Sequence, residues 1–172
     1  MGSLPDLAIV ALRLALATLA LAAAVHKLRD PYRSRRATRI LVGRDGLLAD
    51  VAWGGAICLE GLGAVLTAAG AFGGRSSLIL AFVWCCYALA LGWKRDAEDC
   101  GCGFGKRSPG HGFGLMRNVG LAALGAAASL PAEVRLEPGT VLAAAPAAFI
   151  LFLLYLAADE LGSHPSLARN RS

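Results

Sequence analysis

Two cysteines separated by one glycine are the residues in this sequence best suited to do chemistry. Cys100 and Cys102 flank Gly101 within a polar segment, residues 94–107. A C-x-C pair reaches the Cα separation of a disulfide, about 4.4–6.8 Å, only on a bent backbone, and Gly101 and Gly103 permit such bends. Strained, exposed disulfides exchange readily with thiols. The pattern therefore predicts a dithiol–disulfide exchange centre with Cys100 and Cys102 as its catalytic residues.

Two other interpretations of this segment stay open. The first is a flexible glycine loop that carries two idle cysteines. The second is a metal site made by Cys100, Cys102, His111 and an acidic residue, but this spacing matches no common zinc pattern. The chain between Cys102 and His111 also crosses Pro109 and Gly110. We therefore assign no metal ligands.

Five apolar blocks must position these cysteines. The chain has 172 residues, 56% of them hydrophobic, whereas a soluble domain has about 45–50%. Each block approaches the roughly 20 residues that a helix needs to cross a bilayer, and a helix satisfies its own backbone in lipid. We expect an all-α polytopic bundle, a four-helix core plus a C-terminal span, in a single domain over residues 1–172. The predicted spans are about residues 7–25, 47–69, 77–93, 113–130 and 141–158.

The composition predicts a multi-pass protein of the inner membrane, with the lipid bilayer as a partner. The first block is too long for the apolar core of a signal peptide, and Asp6 is the only charged residue among residues 1–12, so we interpret the block as a span. The net charge of +5 lies mostly between the blocks, where Lys and Arg act as topology signals. No interleaved aromatic and basic surface indicates nucleic-acid binding.

The alternation of spans brings the polar residues at their ends to one membrane surface. Thirteen Lys and Arg residues lie on this side and only Arg75 and Arg135 on the other, so the positive-inside rule predicts that this side is cytoplasmic. The residues expected at this surface, besides the two cysteines, are His26, Lys27, Asp50, Trp53, Trp93, Lys94, Arg117 and Asn118.

Several of these residues are candidates for supporting roles. His26 and Lys27 can donate to a quinone carbonyl or assist thiol proton transfer, or can simply reach the interface with their polar tips. Arg117 and Asn118 can contact loop carbonyls or lipid phosphates, or cap a helix start.

Two charged residues lie deep inside the predicted spans, far from the span ends. Arg13 and Glu60 are each about 19 Å from the shared surface, at 1.5 Å per helical residue. A lone charge at this depth costs about 2.5–3.5 kcal/mol or more. We expect the two side chains to form an ion pair that joins spans one and two. The alternative is that they form a proton route that serves redox chemistry.

The remaining cysteines lie within spans. Cys58, Cys85 and Cys86 are expected to behave as small hydrophobic residues. A Cys85–Cys86 bridge is not expected, because neighbouring helical side chains point about 100° apart.

The cysteine segment also resembles a known family. Asp99-Cys100-Gly101-Cys102-Gly103-Phe104-Gly105, followed by Arg117-Asn118, is similar to the MauE family of methylamine utilisation, one of the DoxX-like membrane proteins. The His26-Lys27-Leu28-Arg29-Asp30-Pro31 end of span one and Glu60 in span two fit as well. The resemblance covers about residues 7–130, and Gly103 is an additional residue relative to the usual pattern.

This resemblance implies thiol–disulfide redox chemistry in a membrane. Family members support the maturation of a partner protein by disulfide formation, as in methylamine dehydrogenase biogenesis, alongside a thioredoxin-like protein. Electrons would pass to a membrane quinone, and no other cofactor is implied. Such chemistry is expected at the extracytoplasmic face, where disulfides persist, which opposes the orientation inferred from charge. The alternative is a non-enzymatic assembly or transport factor whose cysteine loop is structural or binds a metal.

Overall fold

The computed structural model describes residues 4–94, 111–130 and 138–162, and 91% of these residues are helical, with no strand among them. The all-α prediction is therefore confirmed. Cys100 and Cys102 lie outside the described residues. The helices are α1 (Leu4–Arg29), α2 (Pro31–Val42), α3 (Leu47–Ala68), α4 (Ser77–Trp93), α5 (His111–Ala128) and α6 (Pro138–Gly162), with a 3-10 turn at Ala71–Gly74.

Five of these helices, α1 and α3 to α6, occupy the five predicted spans. In the described part of the chain, α1, α3 and α6 are long and apolar enough to cross a membrane, and α4 is a shorter apolar helix. The outward faces of these helices carry large exposed apolar side chains, such as Phe82, Phe149 and Leu154. Water does not favour such surfaces, whereas lipid does. The chain is therefore a membrane protein.

Helix α2 is an element that the sequence analysis treated as a connection. The Asp30 carboxylate accepts a hydrogen bond from the Arg33 backbone N–H at 3.1 Å, and Pro31 occupies the first turn, which are two standard helix-start features. Gly43 ends the helix with φ +69°, and its N–H donates to the Arg39 carbonyl, as left-handed glycine caps do.

One end of the bundle gathers the ends of α1, α4 and α6 with the starts of α3 and α5. Lys94 lies so close to Gly43 that an added Cβ there would be 2.5 Å from the ammonium nitrogen. Phe113 of α5 packs directly on Gly162 of α6. Because α2 covers part of this end, we call it the α2 end.

The core lies between α1, α3, α4 and α5. Leu16, Leu80, Trp84 and Leu121 are buried together, with Ala64 from α3. Gly125 of α5 lies against the α4 backbone, where an added Cβ would be 3.0–3.1 Å from Ala81 atoms. Small residues thus let α4 and α5 approach closely, as is common in membrane bundles.

Candidate functional site

A buried ion pair joins α1 to α3 near the α2 end. The Lys27 ammonium lies 2.7 Å from both carboxylate oxygens of Glu60, and the side chains are 2% and 0% exposed. The Tyr87 hydroxyl of α4 donates to Glu60 Oε1 at 3.1 Å. Lys27 Nζ also lies 5.3 Å from the centroid of the Tyr87 ring, within cation–π range. We call these three residues the Lys27–Glu60–Tyr87 centre.

The expected pairing of Arg13 with Glu60 is wrong, because Glu60 pairs with Lys27. The prediction assumed that the end of α1 and the start of α3 lie at the same depth in the membrane. Helix α2 packs beside the first turns of α3, with the Trp53 indole N–H donating to Ser34 Oγ at 2.9 Å. The first turns of α3 therefore extend past the end of α1, and this brings Glu60 level with Lys27.

Arg13 is held by backbone carbonyls at the opposite end of the bundle. Its Nε donates to the Ala128 carbonyl at 2.9 Å, and its Nη2 donates to the Leu130 carbonyl at 2.8 Å, with the Gly73 carbonyl at 3.4 Å. Ala128 and Leu130 lie at the end of α5, where unpaired carbonyls carry partial negative charge. The guanidinium thus caps α5, and these carbonyls help to compensate its charge.

Helix α2 packs next to the Lys27–Glu60–Tyr87 centre at the α2 end. Ser34 is buried, and its Oγ lies within hydrogen-bonding distance of the Asp30 carbonyl at 2.9 Å and the Lys27 carbonyl at 3.1 Å. The same Oγ accepts the Trp53 N–H. One serine of α2 therefore contacts both α1 and α3. His26, which directly precedes Lys27 on α1, is half-buried.

A groove of about 440 Å³ opens between α2, α3 and α4 beside the centre. Its walls are almost entirely apolar and include Leu41, Gly55 and Leu59. Tyr87, whose hydroxyl reaches Glu60, forms part of the lining, and so does Cys86. The groove thus brings an apolar space next to a buried charged network.

A second buried ion pair joins α5 to α6. Arg117 Nη1 lies 2.6 Å from Asp159 Oδ1, and both side chains are 4% exposed. Asn118 is fully buried, and its side-chain N–H donates to the Gly114 carbonyl within α5 at 2.8 Å. The structure therefore separates the predicted supporting residues into two groups, with Lys27 and Glu60 in one and Arg117 and Asn118 in the other.

Sequence reasoning missed Tyr87 and Asp159. The predicted fifth span ended at residue 158, so Asp159 was counted outside it. A signal existed, because a buried arginine in a span needs a compensating partner, either a carboxylate or backbone carbonyls. A tyrosine within a span likewise demands a partner for its hydroxyl.

The three cysteines that the structure describes are free thiols. Cys58, Cys85 and Cys86 are exposed on the outer surfaces of α3 and α4 rather than packed in the core. The segment that contains Cys100 and Cys102 joins the end of α4 to the start of α5. Both of these helix termini belong to the α2 end, where the Lys27–Glu60–Tyr87 centre also lies.

The centre brings three ionisable or hydroxyl-bearing side chains together. The Glu60 carboxylate contacts both the Lys27 ammonium and the Tyr87 hydroxyl, and side chains of these types are the ones that general acid–base catalysis uses. Lys27 and Tyr87 also fix the orientation of the Glu60 carboxylate.

Comparison with known proteins assigns the chain to a family. No curated protein and no solved structure shows significant similarity to it. Residues 5–131 match the family described as "Methylamine utilisation protein MauE". The matched residues include α1 to α5, both cysteines and the Lys27–Glu60–Tyr87 centre, whereas α6 lies beyond the match. The chain therefore belongs to the MauE family, and it is a membrane protein associated with methylamine utilisation.

Proposed function

We propose that this chain is a membrane thiol–disulfide redox protein that supports disulfide formation in a partner protein. Its 172 residues would work as one domain, as a multi-pass protein of the inner membrane. The observation that carries the proposal is the Cys100-Gly101-Cys102 sequence in the α4–α5 segment of a MauE-family chain. A single glycine between two thiols favours a strained and easily exchanged disulfide.

The proposed reaction is a pair of thiol–disulfide exchanges. A client thiolate attacks one sulfur of the Cys100–Cys102 disulfide, so that this bond breaks and a mixed disulfide forms. The second client thiolate then attacks the client sulfur of that mixed disulfide. The client leaves with a new disulfide, and Cys100 and Cys102 have gained its two electrons and two protons. A thioredoxin-like protein can take the place of the client in the same exchange.

A membrane quinone is the proposed electron acceptor that restores the disulfide. Quinone reduction takes up two electrons and two protons, which is what the reduced cysteine pair releases. The groove between α2, α3 and α4 supports this choice, because it is apolar and its lining residue Tyr87 contacts Glu60. In this proposal Lys27, Glu60 and Tyr87 assist proton transfer near the bound ring.

Trapping of a mixed disulfide tests the proposal. Cys58, Cys85 and Cys86 are first replaced by Ala, because these exposed thiols would otherwise compete for the trap. We expect Cys100→Ser or Cys102→Ser in this background to accumulate a reductant-sensitive adduct with a client or a thioredoxin-like protein. The Cys100→Ser/Cys102→Ser double variant should form no adduct and should leave the client reduced. Unchanged client oxidation in the double variant would favour a non-enzymatic assembly factor instead.

The same background allows a test of sidedness. A membrane-impermeant reductant followed by a membrane-impermeant thiol reagent, both applied to intact cells, should label Cys100 and Cys102, because disulfide formation is expected on the extracytoplasmic side. Labelling that requires permeabilised cells would agree with the positive-inside rule and would contradict the proposed reaction.

A further inference from the structure

The outward face of α2 forms a basic concave site. Tyr32, Arg35, Arg36 and Arg39 follow the i, i+3, i+4, i+7 spacing that places residues on one helix face. Together with Pro31 they line a depression of about 390 Å³, and all four side chains are exposed. The opposite face of α2 is buried against the bundle through Ser34 and Leu41.

Two of these arginines contact neighbouring side chains. The Arg35 guanidinium carbon lies 4.4 Å from the centroid of the Trp53 ring, a stacking arrangement that suits a planar guanidinium. Its Nε is 3.9 Å from Asp50 Oδ1, and the Arg39 Nε is 3.9 Å from Asp45 Oδ1. These ion pairs are long and exposed, so they hold the side chains only loosely.

The positive charge of this region is only partly balanced. Residues 29–50 contain six arginines and three aspartates, which leaves +3. One of the aspartates, Asp30, accepts a hydrogen bond from the α2 backbone at the other end of the helix. The depression on α2 therefore offers several guanidinium donors to an anion.

The position of α2 indicates where such an anion would come from. The helix joins α1 to α3, which are both long and apolar enough to cross a membrane. It therefore lies at the boundary between hydrocarbon and water. Ile40, next to Arg39 on α2, is 47% exposed, and Leu28 on the last turn of α1 is 59% exposed. A helix with apolar and basic residues at this depth is typical of contact with lipid headgroups.

We propose that Tyr32, Arg35, Arg36 and Arg39 form a binding site for the phosphate group of an anionic phospholipid. The arginine forks donate to the phosphate oxygens, the Tyr32 hydroxyl donates a further hydrogen bond, and the acyl chains follow the apolar surface of the neighbouring helices. The site is separate from the cysteine pair and does not depend on the proposed redox reaction.

Lipid retention by the purified full-length protein tests this site. The protein is delipidated in detergent and exchanged into mixed micelles of phosphatidylglycerol and phosphatidylcholine, and the bound lipids are counted by native mass spectrometry. We expect a preference for phosphatidylglycerol that Arg35→Gln/Arg36→Gln/Arg39→Gln lowers by about tenfold or more. The matched control Arg29→Gln/Arg44→Gln/Arg75→Gln removes the same charge from exposed positions outside the depression and should keep the preference within about twofold of the parent.

Two further measurements keep the result decisive. The single variant Arg36→Gln should also weaken the preference, and this guards against misfolding of the triple variant. Inorganic phosphate in excess should displace little lipid, because it lacks acyl chains. The proposal fails if the parent retains both lipids equally, if both triple variants lose the preference alike, or if phosphate alone occupies the site as well as the lipid does.

Discussion

Lys27 contacts both oxygens of the Glu60 carboxylate, and neither side chain has appreciable access to solvent. The contact joins the end of α1 to the middle of α3 across 33 residues of sequence. Two charges away from water are stable together because each compensates the other, whereas either one alone is costly. The pair therefore ties the two helices at one fixed register.

Removal of one partner of this pair should destabilise the protein strongly. Lys27→Met or Glu60→Leu leaves a buried charge without its partner, and we expect each to lower the free energy of unfolding by about 3–5 kcal/mol. The Lys27→Met/Glu60→Leu double variant should recover much of this loss. Thermal unfolding in detergent measures the effect, and additive losses in the double variant would contradict the coupling.

Gly74 should tolerate no side chain. Its φ is +91°, and an added Cβ would overlap the guanidinium of Arg13. Gly73 has φ +63° but open space around it, so Gly73→Ala carries only the left-handed backbone cost, about 1–2 kcal/mol. We expect Gly74→Ala to lower the melting temperature clearly more than Gly73→Ala does. Equal effects would show that the contact between Arg13 and the turn is unimportant.

Asp159 should be needed for stability. Asp159→Asn removes the negative charge opposite the buried Arg117, and we expect a loss of about 3 kcal/mol or more. Glu160→Gln is the matched control, because it removes the same charge from the next position of α6 and, since Glu160 is exposed, its polar contacts contribute little to stability. Similar melting temperatures for the two variants would argue against a role for the ion pair.

A larger side chain in the groove should slow reoxidation of the cysteine pair. Gly55 lines the groove and has open space at its Cβ position, so Gly55→Leu should extend into the groove and reduce its volume. Gly54→Leu is the control, because Gly54 also has open space around it but does not line the groove. Quinone-dependent disulfide formation by purified protein should fall for Gly55→Leu and stay near the parent rate for Gly54→Leu. Equal rates would remove the groove from the proposed reaction.

The positions of the five apolar helices followed from the sequence because hydrophobic blocks of membrane length leave the backbone little choice. The partners of the buried charges could not be predicted, because they depend on how far each helix is shifted along the bundle axis relative to its neighbours. Helix α2 determines this shift between α1 and α3. Its Asp30-Pro31 start and Gly43 end are recognisable signals, but they lie in a segment that was interpreted as a connection. Once α2 lies beside α3, Lys27 rather than Arg13 is level with Glu60.

The candidate site was predictable to a similar degree. Alternation of the spans correctly placed Lys27 and Arg117 at one end of the bundle, whereas the role of Cys100 and Cys102 stays a prediction. Tyr87 and Asp159 were missed because each acts through a contact with a distant helix, and single-sequence patterns carry no such contacts. The shape of the groove depends on three helices at once, so no local pattern could indicate it.

The salt bridge between Arg117 and Asp159 has a consequence for shortened versions of this chain. Its cationic half lies within residues 5–131, the part that matches the MauE family, and its anionic half lies on α6, beyond the match. Truncation before α6 would remove the carboxylate that lies 2.6 Å from Arg117 Nη1. A fragment limited to the matched region is therefore expected to be less stable than the whole chain.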